Sequence, residues 1–243
     1  MKKFFGNFIF KIYNIFFSFL DSTQLNNKSL KYYDSGYKVF KIKKNFNFSK
    51  KNSEIKINKY LDKIIINEKK IYEVINAIFI KNNLKEKITK LTGLNYSIDY
   101  FVAYKTKKIN KKDIELGWYA NHWHKDKPFS KYFLKLIIPI NKIDSQMGGI
   151  EILSSKKSNN YVNSNFKSDY KMIAMNNEIL IFSPNLCFHK AGKINNNKQR
   201  KQIMLQLNPS KKWRINKNLY FLQTKKEPKF PYFSYFFSSK KDF

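Results

Sequence analysis

The chain is short of the residues on which several functions depend. It has one cysteine, Cys187, in 243 residues. That excludes an intramolecular disulfide and a cysteine-based zinc site, and it fits a reducing compartment such as the cytoplasm. Arginine is nearly missing as well: Arg200 and Arg214 are the only two among 48 basic residues. Nucleic-acid readers rely on the planar arginine fork for bidentate contacts to bases and phosphates. The formal net charge of +31 therefore says less about a nucleic-acid partner than its size suggests. Lysine, asparagine, isoleucine, phenylalanine and tyrosine are abundant throughout, the pattern expected where AT-rich codons are favoured. The remaining reading of the charge is a preference for anionic substrates, acidic lipid or nucleic acid. A long uncharged apolar run is also lacking. Residues 1–20, MKKFFGNFIFKIYNIFFSFL, come nearest, but Lys11 interrupts a stretch that would need about 20 apolar residues to span a bilayer. No small-residue cleavage site follows it, and no internal repeat is visible.

What the chain does have is aromatic bulk, with 23 Phe and 16 Tyr, enough for a packed core in one domain. In residues 1–22 the polar Asn7, Lys11, Asn14 and Ser18 recur at a helical period. The segment reads as an amphipathic helix, docked on the domain's own surface or lying in a membrane interface with the help of Lys2 and Lys3. Residues 21–68 are polar and weakly patterned, with short extended pieces such as Tyr37–Ile42. Between 69 and 92, Ile71, Val74, Ile75, Ile78, Ile88 and Leu91 predict two helices, with Asn82 or Asn83 capping the second and Gly93 ending it. From 95 to 210 the pattern turns to strands: Tyr96–Lys105, Phe133–Ile140, Ile150–Ser154, Ile179–Ser183 and Lys201–Leu207. They are separated by Asn141, Gly148-Gly149, Pro184, Asn195–Asn197 and Pro209. Such a series predicts a β-sandwich or barrel. Residues 211–243 form a Lys- and aromatic-rich extension expected to fold back on it.

Histidine is scarce too, which makes its placement informative. The three histidines are His122, His124 and His189. In an extended segment, residues two apart share a face, so His124 and Asp126 project together as an imidazole and a carboxylate. His189 follows the apolar run Glu178–Ser183 and the turn at Pro184. Two imidazoles and one carboxylate form the facial triad of non-haem iron(II) oxygenases. Arg200 stands eleven residues after His189 and opens a strand with Ile203, Leu205 and Leu207 on one face and Arg200, Gln202 and Met204 on the other. The oily face suits a position under the helices. The polar face suits a cavity, where a guanidinium would pair bidentately with a carboxylate, such as the distal one of 2-oxoglutarate. His122 shares a face with His124, so a cupin-like site of His122, His124 and His189 is the alternative. Cys187 reads as a small packing residue beside His189. Trp118, Tyr119 and Trp123 are candidates either for a substrate pocket or for wall packing.

The run Trp123-His124-Lys125-Asp126, then Phe133–Ile140, then Gly149–Leu153, then the pair His189 and Arg200, resembles the phytanoyl-CoA dioxygenase family. The likeness covers roughly residues 70–210. It implies a mainly β fold with flanking helices, built on a double-stranded β-helix (jelly-roll, cupin-like) core. It implies Fe(II) held by His124, Asp126 and His189, 2-oxoglutarate held by Arg200, and O2 as the oxidant. The reaction implied is hydroxylation of an aliphatic carbon of a small or lipid-like molecule, with release of succinate and CO2. The presence of Asp126 departs from halogenating relatives, which replace that carboxylate. The chain has Ser154–Ser158 where the family usually has Gly-Ser-His, and Gln202 where a Ser or Thr often helps hold the co-substrate. An oxygenase acting on a polyanion and a catalytically silent jelly-roll binding module are the rival readings.

Overall fold

A computed structural model describes residues 2–23, 25, 30–43, 53–110, 119–126, 130–160, 167–174, 177–195, 198–220 and 239–243. The chain opens with helix α1 (Lys2–Ser22) and the short α2 (Leu30–Ser35), followed by strands β1 (Tyr37–Lys41), β2 (Glu54–Lys56) and β3 (Leu61–Ile64). Helices α3 (Glu68–Phe79) and α4 (Leu84–Thr92) come next. The remaining elements are β4 (Asn95–Thr106), β5 (Leu134–Pro139), β6 (Glu151–Ile152), α5 (Ser155–Asn159), β7 (Tyr170–Lys171), β8 (Glu178–Phe182), β9 (His189–Lys190), β10 (Arg200–Ser210), β11 (Arg214–Asn216) and β12 (Lys240–Asp242).

The two predicted helices form where the apolar spacing places them. In α3, Ile71, Val74, Ile75 and Ile78 are all buried, and the Asn67 side chain accepts from the Lys70 N–H at its start. Gly93 ends α4 with φ 77°, a left-handed conformation that costs glycine little, and its N–H donates to the Thr89 carbonyl. The expected caps differ in detail. Asn83 sits at the start of α4 with φ 54° and makes no side-chain cap bond. Asn82 instead donates to the carbonyls of Ala77 and Lys43, closing the end of α3.

The strands build two sheets. The long one runs β1-β8-β5-β10-β4-β11-β12, with β3 also on β4 and β2 beside β3; the short one runs β7-β6-β9. Its free edge is extended by an antiparallel bridge between His124 and His189. In chain order the strands alternate: β4 in the long sheet, His124 in the short, β5 in the long, β6 and β7 in the short, β8 in the long, β9 in the short and β10 in the long. Through the middle of the long sheet, β1-β8-β5-β10-β4, and between β6 and β9 in the short one, neighbours are therefore non-consecutive in sequence, which makes this a jelly roll. The β6 strand is shorter than the pattern Ile150–Ser154 suggested, because the Ser154 side chain accepts from the Lys157 N–H and starts α5.

Each face of the long sheet has its own core. Ile98, Phe101, Ala103, Leu134, Leu136, Ile138, Ile203, Leu205 and Leu207 pack with α3 and α4 residues on one side. Ile137, Leu180 and Phe182 face the short sheet's Ile152 and Met172 on the other. Burial of this apolar area is the main driving force for the fold. At the far edge β11 pairs parallel to β4 and antiparallel to β12, so the last residues join the long sheet and the Phe243 ring lies 5.8 Å from that of Phe79. Most of the aromatic tail, residues 221–238, falls outside the described residues.

Candidate metal centre

The His-x-Asp segment lies at the edge of the short sheet, just after a 3-10 turn at Tyr119–Asn121. His124 and His189 exchange both backbone hydrogen bonds, at 3.1 and 2.9 Å. This sets their side chains next to each other, with ring centroids 4.2 Å apart. The Asp126 N–H donates to the Pro184 carbonyl at 2.9 Å, tying the dyad to the turn after β8. Residues distant in sequence are thus joined by backbone pairing alone.

Each imidazole is oriented by the carbonyl two residues before it. Nδ1 of His124 lies 2.7 Å from the His122 carbonyl, and Nδ1 of His189 lies 3.1 Å from that of Cys187. A carbonyl only accepts, so each Nδ1 carries the proton and each Nε2 presents a lone pair. Both Nε2 atoms face Oδ1 of Asp126 at 3.8 Å, too far for a hydrogen bond. Three such donor atoms within 4.8 Å of one another can share one ion at bond lengths of about 2.1 Å. Among the described residues this is the one group of three or more metal-ligating side chains that converges.

The electrostatics give the donors the charges a divalent metal needs. Burial pushes His189 down to about 3 and lowers His124, so both rings are neutral at neutral pH. Burial by itself would raise the Asp126 carboxyl. Lys135 and the two imidazoles more than offset that, and its value falls below the usual one. Lys135 forms an ion pair with Oδ2 of Asp126, the oxygen that does not face the imidazoles.

The same cavity, of about 690 Å³, reaches Arg200 at its other end. Arg200 is 3% exposed, and burial lowers its proton affinity. Nη1 donates weakly to the Met147 carbonyl at 3.4 Å, while Nε is buried without a partner. Met147 is held in place by the turn at Gly148-Gly149, where a Cβ on Gly149 would come within 1.8 Å of the Met172 carbonyl oxygen. Thr106, opposite Arg200 in the β4–β10 register, has a buried hydroxyl that is also unpartnered. Gln202 donates to the Tyr104 hydroxyl, and its own Oε1 lacks a partner. Unpaired buried polar groups are rare and costly, and three of them on one cavity wall point to a polar ligand. Val102, Ile137, Phe182 and Met204 give the cavity an apolar part, and Lys63, Lys135 and Lys190 line it as well.

The other sequence candidates are placed less centrally. His122 has an exposed side chain, and its carbonyl is what holds His124; a three-histidine site is not what converges here. Trp123 does not line the cavity. Its ring lies under Lys190, with Nζ 4.6 Å from the centroid, because neighbours in an extended segment point to opposite faces. Trp118 lies outside the described residues, and Tyr119 opens the 3-10 turn before the dyad. Cys187 is a buried packing residue whose thiol is pushed up to about 12 by burial. Sequence reasoning missed Lys135, Tyr104 and Thr106. The signal for Lys135 was a lone charge inside the apolar run of β5. For Tyr104 and Thr106 it was their alternation with the oily face of β4.

No family model matches the sequence, and no curated protein matches it. Among solved structures the chain is similar to HygX from Streptomyces hygroscopicus with nickel, 2-oxoglutarate and hygromycin B bound, at 10% identity and a TM-score of 0.48, covering 77% of this chain and 88% of that one. It is also similar to the non-heme alpha-ketoglutarate-dependent epimerase SnoN from nogalamycin biosynthesis, at 11% identity and a TM-score of 0.48, covering 74% and 79%. A third similar structure is the carbocyclase SnoK of the same biosynthesis, at 10% identity and a TM-score of 0.44, covering 76% and 84%. At such low identity the chemistry has to be argued from this chain's own residues.

Proposed function

We propose that this chain is an Fe(II)- and 2-oxoglutarate-dependent oxygenase of the phytanoyl-CoA dioxygenase type, hydroxylating an aliphatic carbon of a small or lipid-like molecule. One observation carries the reading. Two neutral imidazoles and a carboxylate converge in the same cavity as a buried arginine that lacks a carboxylate partner among the described residues.

The residues fit the groups they would hold. His124 and His189 offer Nε2, and Asp126 offers Oδ1 while Lys135 occupies its other oxygen. Nitrogen and carboxylate donors of this kind suit iron(II) and leave positions open for a chelating co-substrate. The unpartnered Nε of Arg200 and hydroxyl of Thr106 would receive the distal carboxylate of 2-oxoglutarate, Thr106 doing from β4 what a Ser or Thr two residues after the arginine does elsewhere. With these bound, the iron, 2-oxoglutarate and O2 supply oxidising power while the co-substrate is converted to succinate and CO2. The His122 and Cys187 carbonyls keep both imidazoles in the tautomer that would bind metal. The apolar wall of Val102, Ile137 and Phe182 keeps water from the reacting centre.

An anaerobic optical titration tests the proposal. Purified protein loaded with Fe(II) should develop a visible metal-to-ligand charge-transfer band when 2-oxoglutarate is added, and with neither component alone. A folded, metal-loaded protein that shows no band would sink the reading and leave a catalytically silent binding module in its place.

A further inference from the structure

Helix α1 is turned the opposite way from a helix that merely covers the domain. In its last two turns the polar residues turn inward while Lys11 stays exposed: Ser18 is buried and accepts from the Lys131 N–H at 2.9 Å. Asp21 is partly buried too, and burial raises its carboxyl above the ordinary value despite a bond to Ser130. Its oily side points out. Ile12, Ile15, Phe16, Phe19 and Leu20 are 52, 70, 55, 66 and 42% exposed. Their spacing follows i, i+3, i+4, i+7 and i+8, so they form one continuous apolar stripe along about two turns. A stripe of five large apolar side chains facing solvent is uncommon unless something covers it.

The charge distribution selects what covers it. Through residue 20 the chain has three lysines, Lys2, Lys3 and Lys11, and no acidic residue. The chain as a whole has 48 basic residues against 17 acidic ones. Two copies brought together on this stripe would repel each other, whereas an anionic lipid surface would attract both the stripe and its lysines. No described helix is long and apolar enough to cross a membrane. The geometry therefore points to α1 as an interfacial helix that seats the protein on an anionic lipid surface, its oily stripe in the headgroup and acyl boundary.

Sedimentation of the full chain with sucrose-loaded vesicles tests this. Binding is expected to vesicles of phosphatidylcholine mixed with phosphatidylglycerol, and much less to phosphatidylcholine alone. Phe16→Asp combined with Phe19→Asp removes two exposed side chains and should lower the partition coefficient about a hundredfold. A second measurement does not depend on that variant folding. Ile15→Cys carrying an environment-sensitive fluorophore should shift to the blue on the mixed vesicles, the native Cys187 being buried. Failure of the full chain to sediment would overturn the proposal, as would equal binding to both vesicle types. So would undiminished binding by a folded double variant, or a concentration-dependent dimer that the double variant abolishes.

Discussion

Along β10, Ile203, Leu205 and Leu207 are fully buried in the cluster that includes α3 and α4, while Arg200, Gln202 and Met204 face the cavity. Arg200 and Gln202 are buried like the oily set, yet they are held differently. The oily set meets only apolar neighbours and leaves nothing unsatisfied. On the cavity side, Arg200 and Gln202 each retain a buried polar atom without a partner. One face of the strand is therefore built for stability and the other keeps an energetic debt that a ligand can discharge. Natural chains break local rules of this kind at functional sites.

The difference between the faces can be broken or sharpened by substitution. The largest effect is expected at the metal centre. His189→Ala removes one Nε2 donor and should abolish the charge-transfer band, with metal affinity falling by more than about a hundredfold. Full retention of iron binding, measured by the same anaerobic titration, would remove His189 from the ligand set. Leu205→Ala, on the oily face, should cost about 2–5 kcal/mol of stability in urea unfolding while the folded fraction keeps its metal affinity. Arg200→Leu, on the cavity face, should do the reverse. Apo stability should hold or rise, because an unpaired buried charge is gone, whereas the 2-oxoglutarate needed for half-saturation should rise about a hundredfold. A Leu variant that unfolds the protein and leaves co-substrate affinity intact would contradict the contrast between faces.

The smallest effect concerns acid. His189 has a folded-state value of about 3 against an ordinary 6.5. The unfolded chain therefore takes up a proton at mildly acidic pH that the folded chain resists. Stability is complete above the ordinary value and is lost as pH falls from there toward about 3. His124 acts in the same direction, and Asp126, also lowered, adds to the loss at the acid end. Metal-free protein should lose about 1 kcal/mol through His189 between about pH 7.5 and about pH 5.5, with His124 adding in the same direction. Urea titrations of the wild type and His189→Gln at both values measure it; equal slopes would show that His189 does not titrate this way.

Much of this was legible in the sequence, and the reasons lie in particular residues. The alternation on β10 announced both faces, because a strand with one oily side must bury it. The spacing of Ile71, Val74, Ile75 and Ile78 announced α3. Scarcity singled out the candidates: with three histidines and two arginines in the chain, His124, His189 and Arg200 stood out before any fold was known, and Asp126 by its place two residues after His124. Trp123 reads in the sequence as either pocket lining or wall packing, and only the strand alternation around His124, which sets its ring under Lys190, favours packing.

Helical period, the Gly93 stop and rare residue types were thus set by local sequence, since the physics behind them acts within a few residues, whereas Asn82 took a partner 39 residues away. Other features depended on which strands became neighbours. The bridge between His124 and His189, the ion pair of Lys135 with Asp126, and the pairing of Thr106 with Arg200 all join residues far apart in the chain. The outward turn of the oily stripe on α1 was equally beyond the sequence. Periodicity shows that a helix has two faces, and only packing against the rest of the chain decides which one meets the protein.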